Sequence, residues 1–401
     1  MATKTKKRIG ILTGGGDVPG LNSVIKSVVY WFAEFEAEYE IVGFRRGWEG
    51  LTHLRLTVGE DPKYLVRLDR QNTRTIDRTG GTWLHTSRTN PTRMDLNKLP
   101  DHVKDKVGKE HEVVVKDKSG AEKTRHNVTH VVLSNLEQLE VDSLIAIGGD
   151  DTLSYAAVLN QHGFPVVAVP KTMDNDVRNT EYCIGFSTAM TRAVESINRL
   201  RSTVGSHERI GLLRIFGRDA GFTAMCAAYV TSLRCCIPEH VFDLDRLMGM
   251  LIDDKRDNPS NYAMLLLSEG ATWEGRTIQE RGKADAYGHR RKISVAEALS
   301  DEIEGRTGHD TLIADLTYEL RSGEPDFLDR TVGISFASMA CQCILDGQFG
   351  RMTAIRDGCF DIAEIPDPEL GPRQVDVETM YNIQRYRPYY TAPNGFPIFR
   401  S

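Results

Sequence analysis

Short apolar runs that stop at glycine or proline recur along the chain, and most are followed by residues with helical spacing. Residues 8–12 lead through Thr13 into Gly14-Gly15-Gly16, and apolar positions over 21–35 then repeat at helical intervals. Residues 143–147 end in Gly148-Gly149 ahead of a helical pattern over 152–159, and residues 165–169 end at Pro170. Further on, 209–215 end near Gly217 before an alanine-rich pattern over 220–229, and 262–267 end in Ser268-Glu269-Gly270. Near-continuous apolar strands alternating with helices predict an α/β fold with parallel sheets buried on both faces. In such sheets ligands sit beyond the carboxyl ends of the strands, where these glycines cluster.

Two segments break the rhythm. Residues 98–128 or so are dense in Lys, Asp, Glu and His and predict a solvated β-hairpin insertion. The tail over 385–401, rich in Tyr, Pro and Arg, has no regular period and is expected to pack over a lobe. No apolar stretch approaches the ~20 residues of a membrane span, and the start has no apolar core of a signal peptide. The basic stretch from Lys4 to Arg8 predicts a frayed terminus.

Composition narrows the field. A chain of 401 residues suggests two or three domains, or two lobes. Its net charge of −6, with no basic stripe, argues against nucleic acid as a partner. The seven cysteines form no Cys-x-x-Cys pair and no zinc spacing with histidine. Free buried thiols in a reducing cytosol are expected.

Three strand ends carry the candidate chemistry. A strand meeting Gly14-Gly15-Gly16-Asp17 and then a helix lets backbone approach an anion closely. It matches neither the dinucleotide fingerprint nor the Walker loop. Gly148-Gly149-Asp150-Asp151 sets two carboxylates at a strand end, where self-repulsion asks for a cation; Mg²⁺ shared with water and phosphate suits them. Pro170-Lys171-Thr172-Met173-Asp174-Asn175-Asp176 offers a cation for phosphate oxygens, and either Asp174 or Asp176 could take a hydroxyl proton. Each motif alone is compatible with an ordinary turn or helix cap.

With these three elements stand Gly80-Gly81-Thr82-Trp83-Leu84-His85-Thr86-Ser87-Arg88, Gly185-Phe186-Ser187-Thr188-Ala189, Ser206-His207-Glu208-Arg209-Ile210 and Phe216-Gly217-Arg218-Asp219-Ala220-Gly221. In this order the motifs resemble the phosphofructokinases over roughly residues 7–365, the charged insertion apart. The resemblance implies two Rossmann-like lobes with mainly parallel sheets. Residues 7–186 plus about 320–365 would bind the donor, 187–319 the sugar phosphate, and 366–401 would form a C-terminal tail. It also implies phosphoryl transfer to the 1-hydroxyl of fructose 6-phosphate. Asp174 would take the hydroxyl proton, Asp150 would hold Mg²⁺, and Asp176 would assist the metal site through water. Gly15 and Gly16 would cradle the donor phosphate, with Arg88 and Lys171 on its charge. Thr172, Met173, Phe216, Gly217, Arg218, Glu269, Tyr318, Glu319, Leu320 and Arg321 would contact the sugar phosphate. Arg209 matches an arginine that reaches into a neighbouring subunit's site, implying a homodimer or homotetramer.

The resemblance also bears on the donor. Family members that use ATP carry glycine where this chain has Asp151, and pyrophosphate users pair that aspartate with a lysine at the position of Lys171. Two like charges ~4 Å apart at an effective dielectric of 20 repel by about 4 kcal/mol, so Asp151 disfavours a nucleotide and pyrophosphate is expected as donor. Tyr318-Glu319-Leu320-Arg321 resembles the Tyr-x-x-Arg of the same branch. Leu312 stands where an intersubunit arginine is usual, and Phe216 replaces methionine, which leaves sedoheptulose 7-phosphate as an alternative sugar. An ATP-dependent enzyme and a non-catalytic sugar-phosphate sensor are the rival readings.

Overall fold

The structure is a computed structural model that describes residues 6–35, 38–56, 61–116, 122–277, 280–281 and 291–390. Lys4, the Lys118-Ser119-Gly120 stretch and residues 391–401 of the tail lie outside the described residues. The chain divides into two compact units. The first comprises Met1–Thr172, Val177–Gly185 and Arg321–Gly371, and the second Met173–Asp176, Phe186–Leu320 and Pro372–Ser401.

The first unit is built on a seven-stranded sheet in the order Cys359–Glu364, Arg351–Arg356, Val166–Pro170, Val141–Gly148, Lys7–Thr13, Tyr39–Phe44, Leu65–Leu68. The five central strands run parallel and only the two edges are antiparallel. The strand Val166–Pro170 is buried along its whole length, as expected for a strand covered on both faces. The helix Leu21–Phe32 turns Leu21, Val24, Ile25, Val28, Val29 and Phe32 inward, one stripe at helical spacing. It packs against the helix Phe327–Leu345.

The charged insertion contains the expected antiparallel hairpin, Glu112–Lys116 with Glu122–His126. A small apolar cluster of Met94, Leu99, Val103, Val128 and Val131 lies beside it. Five of the cysteines are buried, Cys226 is half-buried and Cys359 is exposed; all seven are free thiols.

The second unit has a four-stranded, all-parallel sheet in the order Thr311–Leu316, Ile210–Ile215, Ala263–Ser268, Arg234–Cys236. The described tail lies against this unit. The Cys235 amide donates to the Tyr386 carbonyl at 2.8 Å, and the Tyr381 hydroxyl donates to the Cys235 carbonyl at 2.5 Å. No helix among the described residues is long and apolar enough to cross a membrane.

One buried carboxylate ties the first unit together. Asp329 is 0% exposed and accepts from the Tyr182 hydroxyl at 2.6 Å and the Gly185 amide at 2.7 Å. It thereby anchors the return segment Val177–Gly185 to the helix Phe327–Leu345. Removing one partner of such a buried set strands the other donors. Asp329→Ala leaves those two donors without their acceptor and is expected to lower the unfolding free energy by about 1–3 kcal/mol, measured by urea unfolding.

Candidate functional site

In the first unit, three neighbouring parallel strands deliver the Gly14–Asp17 loop, the Gly148–Asp151 stretch and Pro170–Thr172 to one end of the sheet. The register pairs Thr13 with Ile147 and Gly148 with Pro170. Main-chain bonds continue the ladder past the strand ends, from the Gly14 amide to the Ile147 carbonyl and from the Lys171 amide to the Gly148 carbonyl, each 2.9 Å.

Lys171 is 2% exposed, and its Nζ donates to the carbonyls of Gly14 at 2.9 Å and Gly16 at 2.5 Å. Burial pushes its ammonium down to about 8; Asp17 opposes that shift, while Arg321 and Arg88 add to it. Gly15 sits at φ +80°, and a Cβ there would come within 3.3 Å of the Lys171 Nζ. A side chain would be strained in that backbone region and would crowd the ammonium. The Gly15 amide is committed to the Ser87 carbonyl at 2.9 Å, and its own carbonyl accepts from the Thr86 hydroxyl at 2.7 Å. Gly15 therefore contributes space and shape to this loop while its amide serves the fold.

Asp150 and Asp151 open the helix Asp150–Gln161, and both are exposed. Carboxylates in a first turn are favoured by the helix dipole. Asp151 accepts from the Arg93 guanidinium at 2.7 Å, with the two side chains 73% and 52% exposed. Arg88 is exposed beside the same loop, and the Arg321 Nε lies 3.6 Å from an Asp17 carboxylate oxygen. The sequence assigned Arg321 to the sugar phosphate, whereas its guanidinium here faces the glycine loop.

In the second unit the strand ends at Ile215, Ser268 and Leu316 are in register with one another. They lead into Phe216-Gly217-Arg218, Glu269-Gly270 and Tyr318. Gly217 has φ +127°, and a Cβ there would lie 2.6 Å from the Ala220 carbonyl oxygen, so only glycine fits this turn. The Phe216 and Tyr318 rings meet edge to face, 6.2 Å apart. Arg218 is exposed and donates to Asp219 at 2.9 Å.

Asp174 belongs to this unit, and its Oδ1 is shut off from solvent. Burial, and after it the Asp176 and Glu269 carboxylates, push the Asp174 carboxyl up, with Arg218 opposing. Asn175, 1% exposed, adopts the left-handed region at φ +53°, which asparagine tolerates better than most residues. Met173 is 6% exposed.

Arg209 precedes the strand Ile210–Ile215, at the end opposite Gly217, and lies among the charges acting on Glu304. Leu320 is fully buried, so its side chain belongs to the core and only its backbone could meet a ligand. Glu319 is exposed, and Thr172 is half-buried next to Lys171. Four participants escaped the sequence reading. Arg93 holds Asp151, Asp17 faces Arg321, Glu239 accepts from the Gly221 and Val375 amides at 2.9 Å each, and Arg373 bonds the Asn175 carbonyl. The acidic end of the Gly14–Asp17 run was a visible signal for Asp17. The other three are ordinary charged residues in unremarkable surroundings.

Among the described residues no group of three His, Cys, Asp or Glu side chains could hold a metal ion. A cation bound here would take one or two carboxylates and complete its shell with water and phosphate, the habit of Mg²⁺.

The family profile described as Phosphofructokinase matches residues 8–344. The chain is 34% identical over 362 residues to ATP-dependent 6-phosphofructokinase 3 of Streptomyces coelicolor, covering 90% of this chain and 94% of that protein. It is 35% identical over 375 residues to the pyrophosphate–fructose 6-phosphate 1-phosphotransferase of the same organism, covering 92% and 96%. The crystal structure of the pyrophosphate-dependent phosphofructokinase from Marinobacter aquaeolei superposes with a TM-score of 0.71 at 16% identity, covering 98% of this chain and 92% of that one. This chain belongs to the phosphofructokinase family.

Proposed function

We propose that this enzyme transfers a phosphoryl group from pyrophosphate to the 1-hydroxyl of fructose 6-phosphate, reversibly and with Mg²⁺. The observation that carries the reading is one end of the first sheet that offers a buried Lys171 ammonium beside a helix opened by Asp150 and Asp151. A relative named as a pyrophosphate enzyme supports it at 35% identity. A relative named as ATP-dependent stands at 34%, which keeps the ATP-dependent reading as the alternative.

The chemistry is positioning plus electrostatics. The Asp174 carboxylate accepts the C1-hydroxyl proton as the oxygen attacks phosphorus in line. The bridging P–O bond breaks, and its electron pair leaves with inorganic phosphate. A base whose pKa burial has raised is better matched to proton transfer near neutrality than an ordinary aspartate. Two of the three Lys171 hydrogens go to the Gly14 and Gly16 carbonyls; the third is assigned to a donor oxygen. Gly16 and Arg88 complete the donor side, and Arg321 serves the donor loop or the transferring group. Thr172, Met173, Phe216, Gly217, Arg218, Glu269, Tyr318, Glu319 and the Leu320 backbone are assigned to the sugar phosphate. Asp150, and Asp176 through water, would hold Mg²⁺, which when bound neutralises phosphate charge. Arg209 is assigned to a neighbouring subunit's site in a homodimer or homotetramer.

Asp151 discriminates between donors mainly by volume. Its carboxylate is solvent-exposed and paired with Arg93, so its repulsion of a phosphate falls toward the ~1 kcal/mol expected in water. Steady-state rates with each donor test the reading: turnover of pyrophosphate and not ATP is expected, and the reverse would overturn it. In the same assay Asp151→Gly should gain ATP turnover while Asp151→Asn should not, since asparagine keeps the bulk.

Asp174→Asn should lower kcat by about 10²–10⁴-fold, read from initial rates. Retained activity would return the sensor reading to consideration. For Lys171 the sign is that of a cation with a lowered pKa: the ammonium is present below about 8 and lost above it. The kcat/KM for the donor should therefore fall as pH rises past about 8, and Lys171→Met should flatten that limb.

A further inference from the structure

The described tail does more than cover apolar surface. Arg373 is 6% exposed, an unusual position for an arginine. Its Nε and Nη2 both donate to the Asn175 carbonyl, at 3.2 and 2.6 Å, and its backbone amide donates to the Asp176 carbonyl at 2.7 Å. The guanidinium carbon lies 4.3 Å from the centre of the Phe222 ring, within the range of a cation–π contact. Two residues on, the Val375 amide donates to Glu239 at 2.9 Å, and the same carboxylate oxygen takes the Gly221 amide at 2.9 Å. The tail is thus fastened beside the start of the helix Phe222–Thr231 at Arg373, which meets the Asp174–Asp176 turn, and again two residues later through Glu239.

That turn needs fastening. Asn175 is buried in the left-handed region, a conformation that persists only where the surroundings over-determine it. Its peptide orientation sets how Asp174 and Asp176 project from the chain. A charge-assisted fork on its carbonyl, from a side chain itself clamped by an aromatic ring, is a strong and directional restraint.

We propose that Arg373 is a positioning residue for phosphoryl transfer: the tail holds the Asn175 carbonyl so that the Asp174 carboxylate is presented in the geometry its proton transfer requires. The inference rests on the reading of Asp174 as the base. It gives the C-terminal tail a part in catalysis without contact with either substrate.

The test compares full-length Arg373→Met and Arg373→Lys with the parent protein, using kcat and KM for both substrates and thermal melting to count folded molecules. A displacement of about 1 Å at a reacting group can cost ~10² in rate. Arg373→Met is therefore expected to lose about 10- to 100-fold in kcat per folded molecule, with KM for pyrophosphate within about twofold. Arg373→Lys should recover part of the loss, because an ammonium keeps one charged bond and forfeits the fork. If Arg373→Met does not fold, Arg373→Lys carries the test, with a loss of about 3- to 10-fold expected. A folded variant with kcat within about twofold of the parent, whatever its melting temperature, overturns the proposal and leaves Arg373 a structural staple. A fall in kcat matched by an equal change in KM for pyrophosphate also overturns it. Asp174→Asn measured alongside separates the two levels. A parent-like rate for that variant removes the base and this role with it. An inactive Asp174→Asn beside a parent-like Arg373→Met overturns the tail's role alone.

Discussion

A buried ammonium bonded to the carbonyls of the glycine loop is the constraint on which this end of the first sheet depends. Lys171 comes from the end of Val166–Pro170, and Gly14 and Gly16 from beyond the end of Lys7–Thr13, with Val141–Gly148 between the two strands. An ammonium cannot be withdrawn from water without partners. The two carbonyls supply them, and in doing so fix the path of the glycine loop. The remaining cost is visible as the lowered pKa of the lysine. An anion beside this ammonium would lower that cost, which is the physical basis of the donor role proposed for Lys171.

The second unit applies the opposite electrostatics to a carboxyl group. The Asp174 Oδ1 is shut off from solvent, and Asp176 and Glu269 lie among the charges acting on the carboxyl, so its negative form is disfavoured. Arg218 offsets part of this while remaining exposed to solvent. One unit therefore carries a cation made less willing to hold its proton, and the other an acid made less willing to lose its own. Each shift brings the group's titration closer to neutral pH than the ordinary lysine or aspartate value.

Much of the fold was legible because its signals are local. A strand buried on both faces must be apolar throughout, as Val166–Pro170 is, and a loop after it must turn at once. Gly14–Gly16, Gly148-Gly149 and Asp174–Asp176 announced themselves by composition at strand ends. What was not legible depends on packing between distant segments. Tyr318 to Arg321 reads as one contiguous motif, yet Leu320 is wholly buried and Arg321 faces Asp17 on the glycine loop. A helical turn sends neighbouring side chains in different directions, and only the surrounding core decides which of them is buried.

The sequence by itself determined the alternation of strands and helices, the family resemblance, and the residue types capable of phosphate, metal and proton chemistry. These follow from periodicity, turn chemistry and the ordering of short motifs. Only the tertiary structure decided that Lys171 binds the Gly14 and Gly16 carbonyls, that Arg93 holds Asp151, and that Arg373, 198 residues after Asn175, bonds its carbonyl. The physical reason is the same in each case. A charged side chain looks alike in sequence whether it is solvated or buried, and its partner is chosen by chain segments that meet only on folding.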